Sequence, residues 1–411
     1  MKVGIVDADL LGRTKHRFPN LACEKISGYW KEQGAEVRLI TSYDEIHGEL
    51  SQIKINDAED DFDKIYISKV FTDTEVPDWI SELALIPQKA NQRIQIGGTG
   101  FYFDNAPPLS NEIEHHMPDY HLYDEWIENE RQKAEHIAEN SGREFNLERF
   151  MLQFKEYTDY SIGFLTRGCF RKCQFCVNQK YDKVFLHSPL EEFYQPERKK
   201  ICLLDDNVFG CGSHWKELFL SLKATGKPFK FKQGMDERIL TNSHCELLFS
   251  SNYDGDYTFA FDNIEDYDII HKKLKLIRQY ASPKANIKFY VLVGFESTDE
   301  KDIENAFKRI ELLMRYHCLP YIMRYQDKND APWKSSEYRG MYIALARWAN
   351  QPNIFKKMSF RQFCQTNQDA AKTDKLCAPM QALLKFQEKH PDIADKYFDL
   401  CYSDYYVSDM L

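Results

Sequence analysis

Apolar runs and helical patterns alternate along residues 1–104. The first β-type run, Lys2–Asp7, ends in an acid, and residues 21–33 then carry apolar side chains at helical spacing before Gly34, a typical residue at a helix end. Three more β-type runs follow, at 36–41, 63–68 and 93–96. This alternation predicts a Rossmann-like, doubly wound parallel sheet with helices on both faces, whose ligands bind at the carboxyl ends of the strands.

Residues 161–330 repeat the same strand–helix alternation six times. The apolar runs are 161–165, 201–204, 229–231, 257–261, 287–293 and 320–323, and polar residues follow each of them. Helical patterns lie between the runs, so the segment predicts six βα units that form a partial (β/α)6 TIM barrel. Barrels of this kind keep their chemistry at the carboxyl ends of the strands.

The other two segments have helical patterns. Residues 105–160 begin with the helix-breaking sequence Asn-Ala-Pro-Pro and continue as a charged, helix-prone connector. The adjacent His115 and His116 would point about 100° apart on a helix, so they are expected on the surface and not as joint metal ligands. Residues 331–411 read as a helical C-terminal region, which completes a four-part α/β chain.

One short loop between the first and second barrel strands concentrates the candidate chemistry. Cys169, Cys173 and Cys176 stand in a C-x3-C-x2-C spacing directly after the run 161–165. A closed zinc site takes four protein ligands, whereas three thiolates suit three corners of a cubane iron–sulfur cluster and leave one iron open. The alternatives are a three-cysteine zinc site or three unlinked thiols.

This loop resembles the cluster loop of radical S-adenosylmethionine (SAM) enzymes, including the aromatic Phe175 before the last cysteine. The resemblance implies a [4Fe-4S] cluster on the three cysteines, with SAM chelating the open iron. An electron from a donor such as flavodoxin or ferredoxin would cleave SAM to a 5′-deoxyadenosyl radical, which abstracts a substrate hydrogen. The reaction outcome and the substrate cannot be read from the sequence.

The same resemblance suggests which strand-end residues contact SAM. Asp205 and Asp206, after the second barrel strand, match the positions that contact its amino group, although a Gly-Gly-Glu run is absent. Gln233 and Arg238, after the third strand, are the candidates for its ribose and carboxylate. The alternative for each is a polar residue that only caps or solvates a loop.

Residues 1–104 are similar to the cobalamin-binding domain that precedes many radical SAM modules. Ser68-Lys69-Val70 and Gly97-Gly98 approximate two of its sequence elements. However, Asp9 stands where the family has the histidine that ligates cobalt. Several radical SAM proteins with this domain also lack the histidine, so the resemblance leaves cobalamin, bound without a protein ligand, as a possible cofactor for methyl transfer. The alternative is a Rossmann-like domain that contacts a partner or substrate. Glycines after a buried strand can also serve close packing alone.

The net charge and the cysteine content disfavour several classes of protein. The net charge of −10 disfavours a nucleic-acid partner, whose binding rests on basic surface. No apolar stretch suits a membrane span, and the start lacks a signal region, so a reducing cytoplasm is expected. There the other eight cysteines should mostly be small buried hydrophobes, those at 364, 377 and 401 included. A non-catalytic iron–sulfur or zinc binding protein is the rival from another class.

Overall fold

The computed structural model describes residues 1–14, 16–46, 62–87, 92–326, 331–371 and 375–405. The chain divides into two compact units. The first comprises residues 1–165, 176–182 and 186–204, and the second comprises residues 166–175, 183–185 and 205–411. Both units contain parallel strands and many helices, which confirms the α/β class. The arrangement of all six barrel strands around one axis stays a prediction.

The first unit is built on a four-stranded parallel sheet. Its strands are β1 (Lys2–Asp7), β2 (Glu36–Leu39), β3 (Lys64–Ser68) and β4 (Ile94–Gly97), in the order β2-β1-β3-β4. Asp7 at the end of β1 pairs with Ser68 at the end of β3. The strand order reverses between these two strands, which is where ligands of open parallel sheets bind.

Side chains alternate between two apolar cores, one on each face of this sheet. Val3 and Ile5 of β1 belong to one core, together with Ile26 from the helix Leu21–Glu32. Val6 belongs to the other, together with Ile80 from the helix Asp78–Ala84. The two-residue period of a strand sends neighbours to opposite faces. Helices therefore cover both faces, as the sequence predicts.

The rest of the first unit is mainly helical. Its helices are Ala8–Gly12, Leu21–Glu32, Asp78–Ala84, Thr99–Tyr102, Asn111–Glu114, Asp124–Asn140, Leu147–Met151 and Lys155–Thr158. Asn20 caps Leu21–Glu32 by accepting hydrogen bonds from Ala22 and Cys23, and Gly34 follows with a φ of +75°. Two parallel strands, β5 (Tyr160–Gly163) and β8 (Lys200–Leu203), also belong to this unit.

The second unit holds the later strands of the predicted barrel. The short strands β6 (Thr166–Arg167) and β9 (Phe229–Phe231) belong to this unit, whereas β7 (Phe185–Leu186) has one residue in each unit. The sheet order β10-β11-β12 joins Tyr257–Ala260, Ile287–Val293 and Leu319–Arg324 in parallel. The helices Trp215–Ala224, Asn242–Phe249, Tyr267–Tyr280 and Glu300–Arg315 lie between these strands in the chain.

One face of β11 and β12 is packed and the other is open. Phe289 and Val291 are fully buried, whereas their neighbour Tyr290 is only half-buried. On β12, Tyr321 is 40% exposed and Met323 is 43% exposed. Tyr290 lies opposite Tyr321 in the register, with ring centroids 5.8 Å apart. The open face is thus lined by aromatic and thioether side chains.

The described part of the C-terminal region is helical. Its helices are Arg339–Ala349, Pro352–Phe355, Phe360–Ala370, Ala378–Lys389 and Pro391–Tyr397. Phe307, from Glu300–Arg315, packs against the rings of Trp348, Phe360 and Phe398. Within the described residues, no helix is long and apolar enough to cross a membrane.

Gly98 is expected to be essential to the first unit for steric reasons. Its φ is +101°, and a Cβ there would lie 2.1 Å from the backbone oxygen of Lys69. Gly98→Ala should lower the free energy of unfolding by on the order of 2–4 kcal/mol, since a strained φ and a backbone clash add. Gly97→Ala is the matched control, because nothing lies within 4 Å of its Cβ. Urea denaturation that finds equal stabilities would contradict this packing.

Candidate functional site

Two residues of the cysteine loop have a backbone φ in the left-handed region. Gly168 has a φ of +88° and Lys172 a φ of +52°. The first and second cysteines, Cys169 and Cys173, each follow one of these residues. Cys176, like them, is partly buried and is not in a disulfide. The division between the units passes through this loop, with residues 166–175 in the second unit and 176–182 in the first.

Two carboxylates hold the start of the loop. The backbone N–H of Thr166 donates to Oδ1 of Asp205 at 2.6 Å, and its hydroxyl donates to the same oxygen at 2.7 Å. The N–H of Gly168 donates to Oδ2 of Asp206 at 2.8 Å. The structure thus gives both acids a role in shaping the loop. Their predicted contact with the amino group of SAM stays a prediction.

A third carboxylate, Asp236, binds the middle of the loop. The sequence pattern does not predict this contact. Its Oδ2 lies 2.6 Å from Nε of Arg171, and its Oδ1 lies 2.9 Å from Nε of Arg238. Arg238 also reaches Asp266, at 2.7 Å. Burial would raise the pKa of Asp236, but the hydrogen bonds and charges of the two arginines hold it below its usual value.

Asn207 links this carboxylate to the first cysteine. Its Nδ2 lies 3.5 Å from Sγ of Cys169 and 3.3 Å from Oδ2 of Asp236. The side chain is buried, and its Oδ1 has no hydrogen-bond partner among the described residues. Cys176 receives a comparable bond at the other end of the loop, from the backbone N–H of Asn178 at 3.4 Å.

The other predicted SAM contacts lie in different surroundings. Phe175 packs edge-to-face on Phe295 with centroids 5.6 Å apart, and Phe295 packs on Tyr325 at 4.7 Å. Gln233 is exposed after β9. Arg238 is held between Asp236 and Asp266, so its guanidinium is already engaged by two acids. The structure brings Phe175 into an aromatic row, and it shows no ligand role for Gln233 or Arg238.

Two acids lie near the end of β10, of which Glu237 is buried and Asp262 is partly buried. Glu237 accepts a hydrogen bond from the N–H of Ala260 at 3.2 Å, and its other oxygen has no partner among the described residues. Burial raises the pKa of Glu237 to about 8. Burial likewise raises the pKa of Asp262 to about 6, against the charge of Arg309. Both carboxyl groups can therefore hold or release a proton near neutral pH.

The acid that follows β1, Asp9, is bonded within the first unit. Asp9, at the position of the family's cobalt ligand, accepts hydrogen bonds from Val70 at 2.6 Å and from Phe71 at 3.3 Å. It also accepts one from the hydroxyl of Thr74 at 2.5 Å. Gly98 packs on the backbone of Lys69. These contacts give Asp9 and Gly98 structural roles, and Asp9 does not fit as a cobalt ligand.

The switch point between β1 and β3 is occupied by bonded, buried side chains of the chain itself. Tyr123 donates to Oδ2 of Asp7 at 2.8 Å, and Nδ2 of Asn20 donates to Oγ of Ser68 at 3.0 Å. All four are buried. Burial, and next the charge of Asp9, raise the pKa of Asp7 to about 7. These residues satisfy one another, and no donor set among the described residues of the first unit points to a corrinoid.

The two histidines of the connector are partly buried, and each contacts a carboxylate far along the chain, which for His116 is Glu32 at 2.9 Å. His116 binds the carbonyl of Met117 through Nδ1, while His115 binds Glu192 at 2.7 Å. The ring of His115 stacks on that of His187, with centroids 5.1 Å apart. The local sequence does not predict this pairing, because His115 and His187 are 72 positions apart in the chain.

The remaining cysteines are mostly buried, which confirms the prediction for them. Six are buried (Cys23, Cys202, Cys211, Cys245, Cys318 and Cys364), while Cys377 and Cys401 are partly buried. Across the residues that the structure describes, no three His, Cys, Asp or Glu side chains are grouped so as to hold one metal ion. A shared centre for Cys169, Cys173 and Cys176 therefore stays a prediction.

Comparisons with known proteins found similarity to solved structures of TsrM, a radical SAM methyltransferase from Kitasatospora setae. One, with tryptophan and the SAM analogue aza-SAM, is 11% identical, has a TM-score of 0.48 and covers 78% of this chain and 72% of that chain. Another, with cobalamin and a [4Fe-4S] cluster, is 12% identical, has a TM-score of 0.47 and covers 79% and 75%. No family model and no curated protein matches. At this distance the similarity says nothing about this chain's chemistry, which depends on its own residues.

Removing the charge of Asp236 should loosen the cysteine loop. Asp236→Asn weakens the bond from Arg171, and a hydrogen bond to a charged group contributes about 1.5–3 kcal/mol. Amides of residues 168–175 should then exchange about tenfold faster in hydrogen-exchange mass spectrometry, since about 1.4 kcal/mol corresponds to a factor of ten. Asp266→Asn is the control, because it removes only a bond to Arg238. Unchanged exchange in Asp236→Asn would show that this carboxylate does not hold the loop.

Proposed function

We propose that this chain is a radical SAM enzyme. Cys169, Cys173 and Cys176 would ligate three irons of a [4Fe-4S] cluster and leave the fourth iron to SAM. The observation that carries the proposal is the cysteine loop itself: a C-x3-C-x2-C spacing with three partly buried cysteines outside disulfides, its start held by two acids. Three thiolates without a fourth protein ligand suit an open cubane better than a closed zinc site.

The donor chemistry around the loop suits thiolate ligands. The sulfurs of Cys169 and Cys176 each accept an N–H, from Asn207 and from Asn178. Such hydrogen bonds stabilise negative charge on a ligand sulfur. When bound, the cluster would supply one electron to the sulfonium of SAM, so that a C–S bond breaks to leave methionine and a 5′-deoxyadenosyl radical.

The chain's own residues would position the reactants and exclude water. Asp205 and Asp206 shape the loop, and the pair Arg171–Asp236 fixes its middle. Phe175 would contribute an apolar ring beside the cluster, continued by Phe295. Gln233 and Arg238 are retained as proposed contacts of SAM, although Arg238 would have to share its guanidinium with two acids.

The substrate would lie on the open face of β11 and β12. This face presents Tyr290, Tyr321 and Met323 to solvent, and a hydrogen donor must lie close to the radical carbon of SAM. Glu237 and Asp262 could exchange a proton with a bound group near neutral pH. The substrate itself is unknown, and the electron donor would be a flavodoxin or ferredoxin of a reducing compartment such as the cytoplasm.

Methyl transfer through cobalamin is a second candidate that rests on the four-stranded parallel sheet of the first unit. The engaged Asp9 and the bonded residues of the switch point do not fit a protein-ligated corrinoid. The proposed reaction therefore contains no corrinoid step.

A non-catalytic iron–sulfur or zinc protein is the third candidate, and it differs because it would release no 5′-deoxyadenosine.

Replacing one loop cysteine should abolish both cluster and product. Cys173→Ala removes a ligand, so iron and sulfide after anaerobic reconstitution should fall well below the wild-type content. Dithionite-driven formation of 5′-deoxyadenosine from SAM should drop to background. Cys377→Ala, a partly buried thiol of the helical tail, should leave both unchanged. If Cys173→Ala keeps its iron and its product, or if the wild type forms none, the radical SAM proposal is wrong.

A further inference from the structure

Asn207 occupies an unusual position for an amide side chain. It follows Asp205 and Asp206 directly, is 3% exposed and begins a short 3-10 turn, where its carbonyl accepts the N–H of Gly210 at 2.9 Å. A Cβ on Gly210 would lie 2.9 Å from the ring of Phe170 in the cysteine loop. The missing side chain of Gly210 therefore lets the turn that carries Asn207 pack against this loop.

The orientation of the Asn207 amide follows from its two neighbours. Nδ2 faces Sγ of Cys169 at 3.5 Å and a carboxylate oxygen of Asp236 at 3.3 Å. Both neighbours are acceptors, so the opposite orientation would place the amide oxygen against a carboxylate. Oδ1 has no partner among the described residues. No hydrogen bond of Oδ1 there competes with the two contacts of Nδ2.

The charge of Asp236 does not govern this site alone. Its two oxygens are bonded to Arg171 and Arg238, so two guanidinium groups offset the carboxylate. The group that reaches the sulfur of Cys169 is the neutral N–H of Asn207. Asp236 thus serves to hold the amide in place, while the amide acts on the sulfur.

We infer that Asn207 is a positioning residue that raises the reduction potential of the cluster by donating a hydrogen bond to the sulfur of Cys169. The inference rests on the proposed function, since it needs a cluster on the loop. Hydrogen bonds to ligand sulfurs are among the factors that set the potentials of iron–sulfur clusters. The reduced cluster carries one more negative charge, so the bond favours the reduced form more than the oxidised form.

The test is a redox titration of the reconstituted full chain, followed by the electron paramagnetic resonance of the reduced cluster. Asn207→Leu keeps a similar volume and removes the donor. At a fixed applied potential its ratio of reduced to oxidised cluster should be about tenfold lower, which for one electron is about 59 mV. Asn353→Leu makes the same change at an exposed position of the tail and should leave the ratio unchanged.

Asn207→Asp provides a second variant if leucine prevents cluster assembly. It keeps the shape and puts negative charge near the sulfur, so it should lower the ratio at least as far. A wild-type potential in either assembled variant overturns the role of Asn207 while leaving the radical SAM proposal intact. A wild-type chain that assembles no cluster overturns both. Equal shifts in Asn207→Leu and in Asn353→Leu would also overturn it, since the effect would then not depend on the bond to Cys169.

Discussion

Three carboxylates on the loops after β8 and β9 hold the segment on which the proposed chemistry depends. Asp205 and Asp206 bind the backbone at the start of the cysteine loop, and Asp236 binds its side chain Arg171. The loop has a positive φ at Gly168 and at Lys172, and such backbone conformations persist where the surrounding structure constrains them. These acids supply that constraint. Charge-assisted bonds are the strongest available for the purpose.

The large-scale pattern was predictable from the sequence because it depends on local periodicity. β1, β3 and β11 are short apolar runs bounded by polar residues, and the tail helices show clear helical spacing. The parallel α/β class followed from their alternation. The contacts of the candidate site did not, because they join positions far apart in the chain. Arg171 and Asp236 are separated by 65 positions, and no local signal relates them.

Residue type and chain position did not predict the partners of the candidate site residues. Asp205 and Asp206 closely follow β8, whereas Arg238 lies beyond the end of β9, in the short 3-10 turn Glu237–Ile239. Their partners are the loop backbone and other charged side chains, which a sequence does not specify. The same holds in the first unit. Gly98 is predicted to contact a cofactor, but the group that lies close to it is the backbone of Lys69. A glycine indicates that another group lies close to the backbone, but it does not indicate which group that is.

The account stands on one claim, that three thiolates of the loop share a cubane with one iron open to SAM. Mössbauer spectroscopy of the chain reconstituted with ⁵⁷Fe, before and after addition of SAM, tests it most directly. The account predicts a [4Fe-4S] spectrum in which one iron of the four changes its isomer shift when SAM binds. A spectrum with four equivalent irons that SAM leaves unchanged would contradict it, as would a preparation that binds zinc in place of iron.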